Sequence, residues 1–207
     1  MPLPVLHSFA GYSVHKLSKN SKTKWQWVRL AVLIFLANLA DFDLLPGIFK
    51  HHALLYHRGF SHSVGAALLC GLSVAFIAVI ISHASFRRAF VLSTLAYFSH
   101  VLLDFFTAPV PMFWPLSSKR VMAPFVLFMG AGRSLHYVSS FKGFIYWFLS
   151  HETMRILFFE MAIMCSIMAF ISLFNDARKQ VSFNKSVALV RFAQAVIFFA
   201  GFVVTHG

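Results

Sequence analysis

VGAALLCGLSVAFIAVIIS, residues 64–82, runs without a single charged side chain. A helix needs about 20 consecutive apolar residues to cross the hydrocarbon of a bilayer, and this run has that length. Directly before it stands HRGFSHS, residues 57–63, with two histidines, an arginine and two serines. The first stretch sets the solvent of the fold. The second poses the functional question, because polar side chains crowd the mouth of an apolar span.

Composition supports the membrane reading. The chain is 59% hydrophobic and only 12% charged, with a mean hydropathy of +0.75, whereas soluble domains carry about 25% charge. Its 207 residues suit one domain, 1–207, with the motifs in a core at 5–120 and C-terminal helices over 143–207. The net charge of +12 raises the question of nucleic acid. The basic residues fall between apolar segments, however, as they do in membrane-flanking loops, so nucleic acid is not an expected partner. The start, MPLPVLHSFAGYSVHKL, has no basic region ahead of its apolar stretch, which argues against a cleaved secretory signal. Cys70 and Cys165 lie inside apolar runs without a CxxC partner and read as small core residues.

Four further runs approach span length: 30–49 (interrupted by Asp41 and Asp43), 89–106, 156–174 and 186–204. Residues 3–15 are apolar but too short to cross and read as a half-helix. Between 107 and 155 the chain is rich in Pro, Gly and aromatics, and FIYWFL at 144–149 suits a headgroup-level anchor. Arg178 and Lys179 read as a loop. The expected class is all-α: a polytopic helical membrane bundle with about four to five transmembrane helices and a short N-terminal helix.

Threading these spans back and forth carries the polar residues to one side. If 30–49 crosses from side X to side Y, then Asp41 and Asp43 fall near Y, as do His57 and His62 in the following loop. His100 and Asp104 reach the Y end of their helix, and the half-helix leaves His7 there too. Side X gathers Lys16, Lys24, Arg29, Arg87 and Arg88, so the positive-inside rule makes X cytoplasmic and turns the cluster outward.

Each motif has a chemical reading and a bland one. Intramembrane carboxylates are costly and usually face a partner, a cavity or a metal. His100 and Asp104 are four apart and share a helix face, as a cation site or as a buried hydrogen-bonded pair. Asp41 and Asp43 are two apart and diverge on a regular helix, but they precede Leu-Leu-Pro-Gly, where the helix is expected to end. There one or both can turn inward, or both can stay in water. In HRGFSHS, Gly59 permits a turn and Ser61 is an expected N-cap, placing His62 in the first turn of the next helix. Arg58 would clamp an anionic, phosphate-like group. Together these groups form a sulfur-free set of N and O donors suited to zinc or another divalent metal such as manganese.

The order His7, LADFD (39–43), HRGFSHS (57–63), HVLLDFFT (100–107) and WPLSSKR (114–120) resembles the YdjM-type family. Its members are inner-membrane-associated proteins regarded as metal-dependent hydrolases, distantly like zinc-dependent phospholipase C and the single-strand-specific zinc nucleases. The resemblance covers roughly residues 5–120. It implies a multi-pass protein of the inner membrane. It also implies metal ligands among His7, Asp41, Asp43, His57, His62, His100 and Asp104, with Arg58 contacting substrate. Ala40 stands where the family commonly has Pro, and Ser61 replaces Thr. The zinc enzymes also carry an HxxxE helix, whereas HETMR, 151–155, has Arg155 in the place of that glutamate. His136, His151, Glu152 and Glu160 are the remaining donors.

The chemistry implied is hydrolysis, with the cation acidifying water and polarising a phosphoryl or acyl oxygen. Asp41 or Asp43 would be the base, and Arg58, Lys119 and Arg120 would neutralise developing charge. Membrane lipid and a small or amphiphilic ester are the expected partners. A metal-free lipid-phosphate phosphatase is the enzymatic alternative, but Thr94 stands where it would need an arginine. The non-enzymatic alternatives are a metal-binding membrane protein and a structural bundle with satisfied polar pairs.

Overall fold

The computed structural model describes residues 2–18, 24–52, 54–124, 138, 140–179 and 185–204. Among the described residues it is all-helical, and no β-strand occurs, only an isolated antiparallel bridge between Val110 and Val121. The chain divides into two compact units, Met1–Trp147 and Phe148–Gly207.

The first unit opens with α1, Pro4–Leu17, whose Pro lies in the first turn, where a missing N–H costs nothing. Its 14 residues reach only about 21 Å, so it is the short helix expected and cannot cross alone. After it, α2 covers Gln26–Asn38, a 3₁₀ turn Leu39–Asp43, and α3 Leu44–Phe49. This differs from the expected continuous segment 30–49. The α-helix stops at Asn38, ahead of both aspartates, and Leu-Leu-Pro-Gly begins a helix rather than ending one. Pro46 is the third residue of α3, inside the first turn, where it blocks no internal hydrogen bond.

Next comes a 3₁₀ turn, Phe60–His62, then α4, Val64–Ser82, and α5, Phe86–Phe105. Ser63 caps α4, its Oγ accepting the Ala66 N–H at 3.1 Å. The expected cap, Ser61, is displaced because the chain turns extended only at Ser63 (φ −136°, ψ 160°). Carbonyls of the loop after α5 finish the end of α4: the Val64 N–H donates to Met112 O at 2.9 Å and the Gly65 N–H to Trp114 O at 3.3 Å.

Within this unit α4 packs along α5, α1 along α2, and both α1 and α2 against α5. Small residues allow the close approaches. A Cβ on Gly71 would collide with Thr94 Oγ1 of α5, and one on Gly11 would lie 2.6 Å from the Leu33 carbonyl of α2. The core is likewise built on alanine (Ala37, Ala40, Ala67, Ala96) with Leu33, Leu36, Tyr97 and Val101 between.

The short helix α6, Phe141–Phe148, contains the aromatic run read as an interfacial anchor. The second unit pairs α7, His151–Lys179, with α8, Lys185–Val204. Helix α7 is longer than the apolar run 156–174 and includes Arg178 and Lys179, which the sequence reads as loop. Among the described helices, Val64–Ser82 alone is long and apolar enough by itself to cross a membrane, with mean hydropathy 2.7 and 22% of its window buried inside the protein. The sequence expectation was about four to five such helices.

Candidate metal centre

Five segments of the first unit converge on one buried point. Helix α1 contributes His7, the first 3₁₀ turn Asp41 and Asp43, the loop His57 and Arg58, the second 3₁₀ turn His62, and α5 His100 with Asp104. His7, His62, His100 and Asp104 have no exposed surface, and His57 is buried. All seven residues expected as ligands thus meet in one cluster, and three of the chain's six acidic residues lie in it.

The tightened turn explains how both aspartates reach it. Side chains two apart lie about 160° from each other around an α-helix but about 120° around a 3₁₀ helix, so both can face inward. They then play different parts. Asp43 is fully engaged: His57 Nδ1–H donates to Oδ1 at 2.8 Å, while the Ser61 hydroxyl (2.7 Å) and Arg58 N–H (3.1 Å) donate to Oδ2. His62 Nδ1 lies 3.3 Å from that same Oδ2. Asp41 has both oxygens buried and without a hydrogen bond, facing His100 Nε2 at 3.4 Å, His62 Nε2 at 3.6 Å, and His7 Nε2 and His57 Nδ1 at 4.0 Å.

The imidazoles are oriented from behind. His100 Nδ1–H donates to the Ala37 carbonyl at 2.8 Å, which turns Nε2 inward. His62 presents its Nδ1 to Asp43 and its Nε2 to Asp104 Oδ2 (3.3 Å) and to His100 Nε2 (3.2 Å). His7 stacks on His100 with ring centroids 3.8 Å apart. Holding the far nitrogen of an imidazole fixes its tautomer and aims the near one, as around bound metals. Burial alone would lower the His62 pKa, but the carboxylates of Asp104, Asp41 and Asp43 outweigh it and hold it well above the ordinary histidine value.

Arg58 adopts a left-handed backbone (φ 61°) and sends Nε to Asp104 Oδ2 at 3.1 Å. It therefore braces an inward carboxylate, a contact that the reading as an anion clamp did not include. Lys119 and Arg120 are exposed. His136 lies outside the described residues, and His151, Glu152 and Glu160 belong to neither donor set found among the described residues.

The donors fit a divalent cation. Neither nitrogen of His7 has a hydrogen-bond partner, nor do His57 Nε2, Asp104 Oδ1 or either oxygen of Asp41, and all are buried. Orphaned buried polar atoms cost roughly 1–3 kcal/mol each, so several in one cluster mark a place built for a charged ligand. Two sets have donor atoms mutually within 4.8 Å: Asp41, His57, His62 and Asp104, and His7, Asp41 and His100.

Three contributors were missed in the sequence. Ser61 was assigned to a cap but binds Asp43, and Tyr97 donates its hydroxyl to the Ser61 carbonyl at 2.9 Å. Tyr97 shares the buried face of α5 with Ser93, His100 and Asp104, a 3–4 spacing that was readable. The Ala37 carbonyl had no sequence signal at all.

The fold and site define an all-helical protein with one helix long and apolar enough to cross a membrane and a buried His/Asp cluster that can hold a metal ion. The YdjM inner membrane protein family matches residues 3–178, and the chain belongs to that family. No curated protein and no solved structure gives a match.

Proposed function

We propose that this chain is a multi-pass membrane hydrolase that acts on a phosphoester or lipid-like ester through a divalent metal, zinc or manganese, in the His/Asp cluster. The observation that carries the reading is the convergence of buried, unpartnered donor atoms on His7, Asp41, His57 and Asp104. When bound, the cation supplies Lewis-acid polarisation of the scissile group and acidification of water. Asp41, His57, His62 and Asp104, with His7 and His100, hold it. Asp43 aligns His57 and His62 rather than acting as base, since its oxygens are already occupied by donors. Arg58 sets Asp104 and carries the positive charge nearest to it.

Multiple crossings are supported by apolar surface on several helices. Ile80 and Ile81 on α4, Val91 and Leu95 on α5, and Phe192 and Ile197 on α8 are all exposed, an arrangement costly in water and natural in lipid. An amphiphilic substrate is supported by the loops beside the cluster, where Phe49 (80%), Leu55, Phe60 (65%), Phe113 and Leu116 are exposed. A lipid ester could bring its polar group to the cluster while its chains stay against these side chains.

The test is metal content of the detergent-purified protein, beside Asp104→Ala and His62→Ala, followed by hydrolysis assays on phosphoester and acyl-ester lipids. At least one equivalent of zinc or manganese in the wild type, reduced in both variants, is the expected outcome, with hydrolysis falling in parallel. A wild type that stays metal-free after repletion would overturn the reading. Metal without turnover of either lipid class would reduce it to a binding protein.

A further inference from the structure

We infer that the end of the first unit away from the His/Asp cluster is a binding site for the headgroup of an anionic phospholipid, held by Arg87 and Arg88 at the start of α5. The inference rests on α4 crossing the membrane, part of the reading above, and on nothing in the metal centre.

A cavity of about 380 Å³ opens at this end, lined by Ser18, Ser85, Arg87, Arg88, Val91 and Leu92. Chain direction sets its depth. Helix α4 ends at Ser82 and α5 begins at Phe86, so the cavity lies beside the far end of the helix able to cross. Arg88 and His100 are both on α5, about 18 Å apart at 1.5 Å per residue. The cavity is therefore a separate site and not an extension of the cluster.

Charge at this end has one sign. Residues 1–40 and 44–103 contain neither Asp nor Glu, so α1, α2, α4 and most of α5 bring no carboxylate to it. Three helices bring cations instead: Lys16 from α1, Arg29 from α2, and Arg87 and Arg88 from α5. Arg29 and Arg88 lie close enough to repel each other, and Arg29 and Lys16 both act on the buried His15. The N-terminal end of α5 adds its dipole to the same field. A bound anion relieves this repulsion, and a phosphate suits it because arginine offers paired donors to two phosphate oxygens.

The surroundings select a lipid as the carrier of that phosphate. Val91 and Leu92 form the apolar wall of the cavity, and Val91, Leu95, Ile80 and Ile81 leave an exposed apolar surface beside it for acyl chains. Trp25 and Trp27, at the start of α2, are exposed at the same end, as aromatic side chains are at headgroup level. Basic pockets beside membrane helices take anionic headgroups in this way.

The experiment is native mass spectrometry of the full-length protein in detergent, titrated separately with phosphatidylglycerol, phosphatidylcholine and inorganic phosphate. The wild type should hold phosphatidylglycerol at least about tenfold more tightly than phosphatidylcholine, whose choline offsets the phosphate charge, and inorganic phosphate should not displace it. Arg87→Gln/Arg88→Gln should abolish that preference. Lys50→Gln/Lys142→Gln, which removes the same charge from exposed positions elsewhere, should keep it. Equal binding of the two lipids by the wild type, or a preference that survives in the arginine variant, would overturn the inference. Displacement by inorganic phosphate would overturn the lipid as occupant. A protein that stays in solution without detergent would overturn the crossing of α4 itself. Both arginines are exposed, so their replacement spares the core, and the wild-type comparison of two lipids needs no variant.

Discussion

Residues 30–49 and 64–82 are both read as apolar stretches of crossing length, yet the first breaks across α2, a 3₁₀ turn and α3 while the second is one helix. The uninterrupted stretch satisfies its backbone internally and has its first amides taken up by Ser63 Oγ, Met112 O and Trp114 O. The broken one spends regularity on direction. Its tightened turn swings both aspartates inward, and its end carries the Ala37 carbonyl that orients His100. Irregular backbone among apolar helices is tolerated where protein buries it or where it lines a polar site, and here it lines the His/Asp cluster. A helix that gives up hydrogen-bond geometry at one turn gains a site; a helix that keeps it gains only a span.

The contrast is sharpest at Asp41. Asp41→Asn preserves shape and removes the charge that both donor sets share, and metal content should fall below about a tenth of wild type, since a carboxylate ligand's contribution depends on its charge. Leu69→Ala on the exposed face of α4, where Leu69 is 61% accessible, should leave metal content unchanged. Equal uptake by both variants would show that the break in 30–49 has nothing to do with cation binding.

Asp43 tests the indirect contribution of the same turn. Asp43→Asn keeps the cation's own ligands but weakens the hold on His57 and His62, and metal affinity should drop about 10–100-fold, the usual cost of losing such a support. Chelator competition would measure it. A loss as complete as that in Asp41→Asn would make Asp43 a ligand.

Acidity should act next, through His62. In the metal-free protein its pKa is raised by the surrounding carboxylates, so its stabilising contribution is fully present below about pH 6.5, the ordinary histidine value. That contribution is lost as pH rises through the raised folded value. A cation needs the neutral ring and displaces the proton, so affinity moves the other way, rising with pH by about tenfold per unit for each proton released. Manganese titrations at pH 6, 7 and 8 should show that slope. A pH-independent affinity would mean that His62 is not a ligand.

Much of the site was legible because its residue types have few other reasons to be there. HxxxD at 100–104 fixed one helix face by periodicity alone, and His7 reached the cluster as the half-helix reading required. What could not be read was backbone. The end of α2 at Asn38 depends on tertiary ties, with Asn38 Nδ2 donating to Ser8 Oγ of α1 at 3.0 Å and to Ile34 O at 2.8 Å. Pro46 reads as a terminator because proline stops helices from within, but the same ring is accommodated in a first turn. Ser61 and Ser63 are both plausible caps in sequence, and only the chain direction after Gly59 decides between them. Hydropathy counts crossings by length, and it does not register that 30–49 is divided or that α7 runs well past its apolar core.

The smallest expected effect belongs to the regular stretch. Ser63 Oγ donates to the Phe60 carbonyl at 2.6 Å and accepts from the Ala66 N–H, tying the second 3₁₀ turn to α4. Ser63→Ala removes a helix cap worth about 1 kcal/mol, whereas Ser63→Gly costs only a few tenths. For a protein of this size 1 kcal/mol corresponds to roughly 2–4 °C in Tm, so thermal unfolding in detergent should rank wild type, glycine, alanine in falling order. Metal stoichiometry should stay constant, because the Ser63 side chain bonds within its own turn and helix rather than to any donor of the cluster. If Ser63→Ala instead lost metal as Asp43→Asn does, the start of α4 and the cluster would be one cooperative unit. The separation of span from site would then fail, since the regular helix would be holding the ligands as directly as the broken one does.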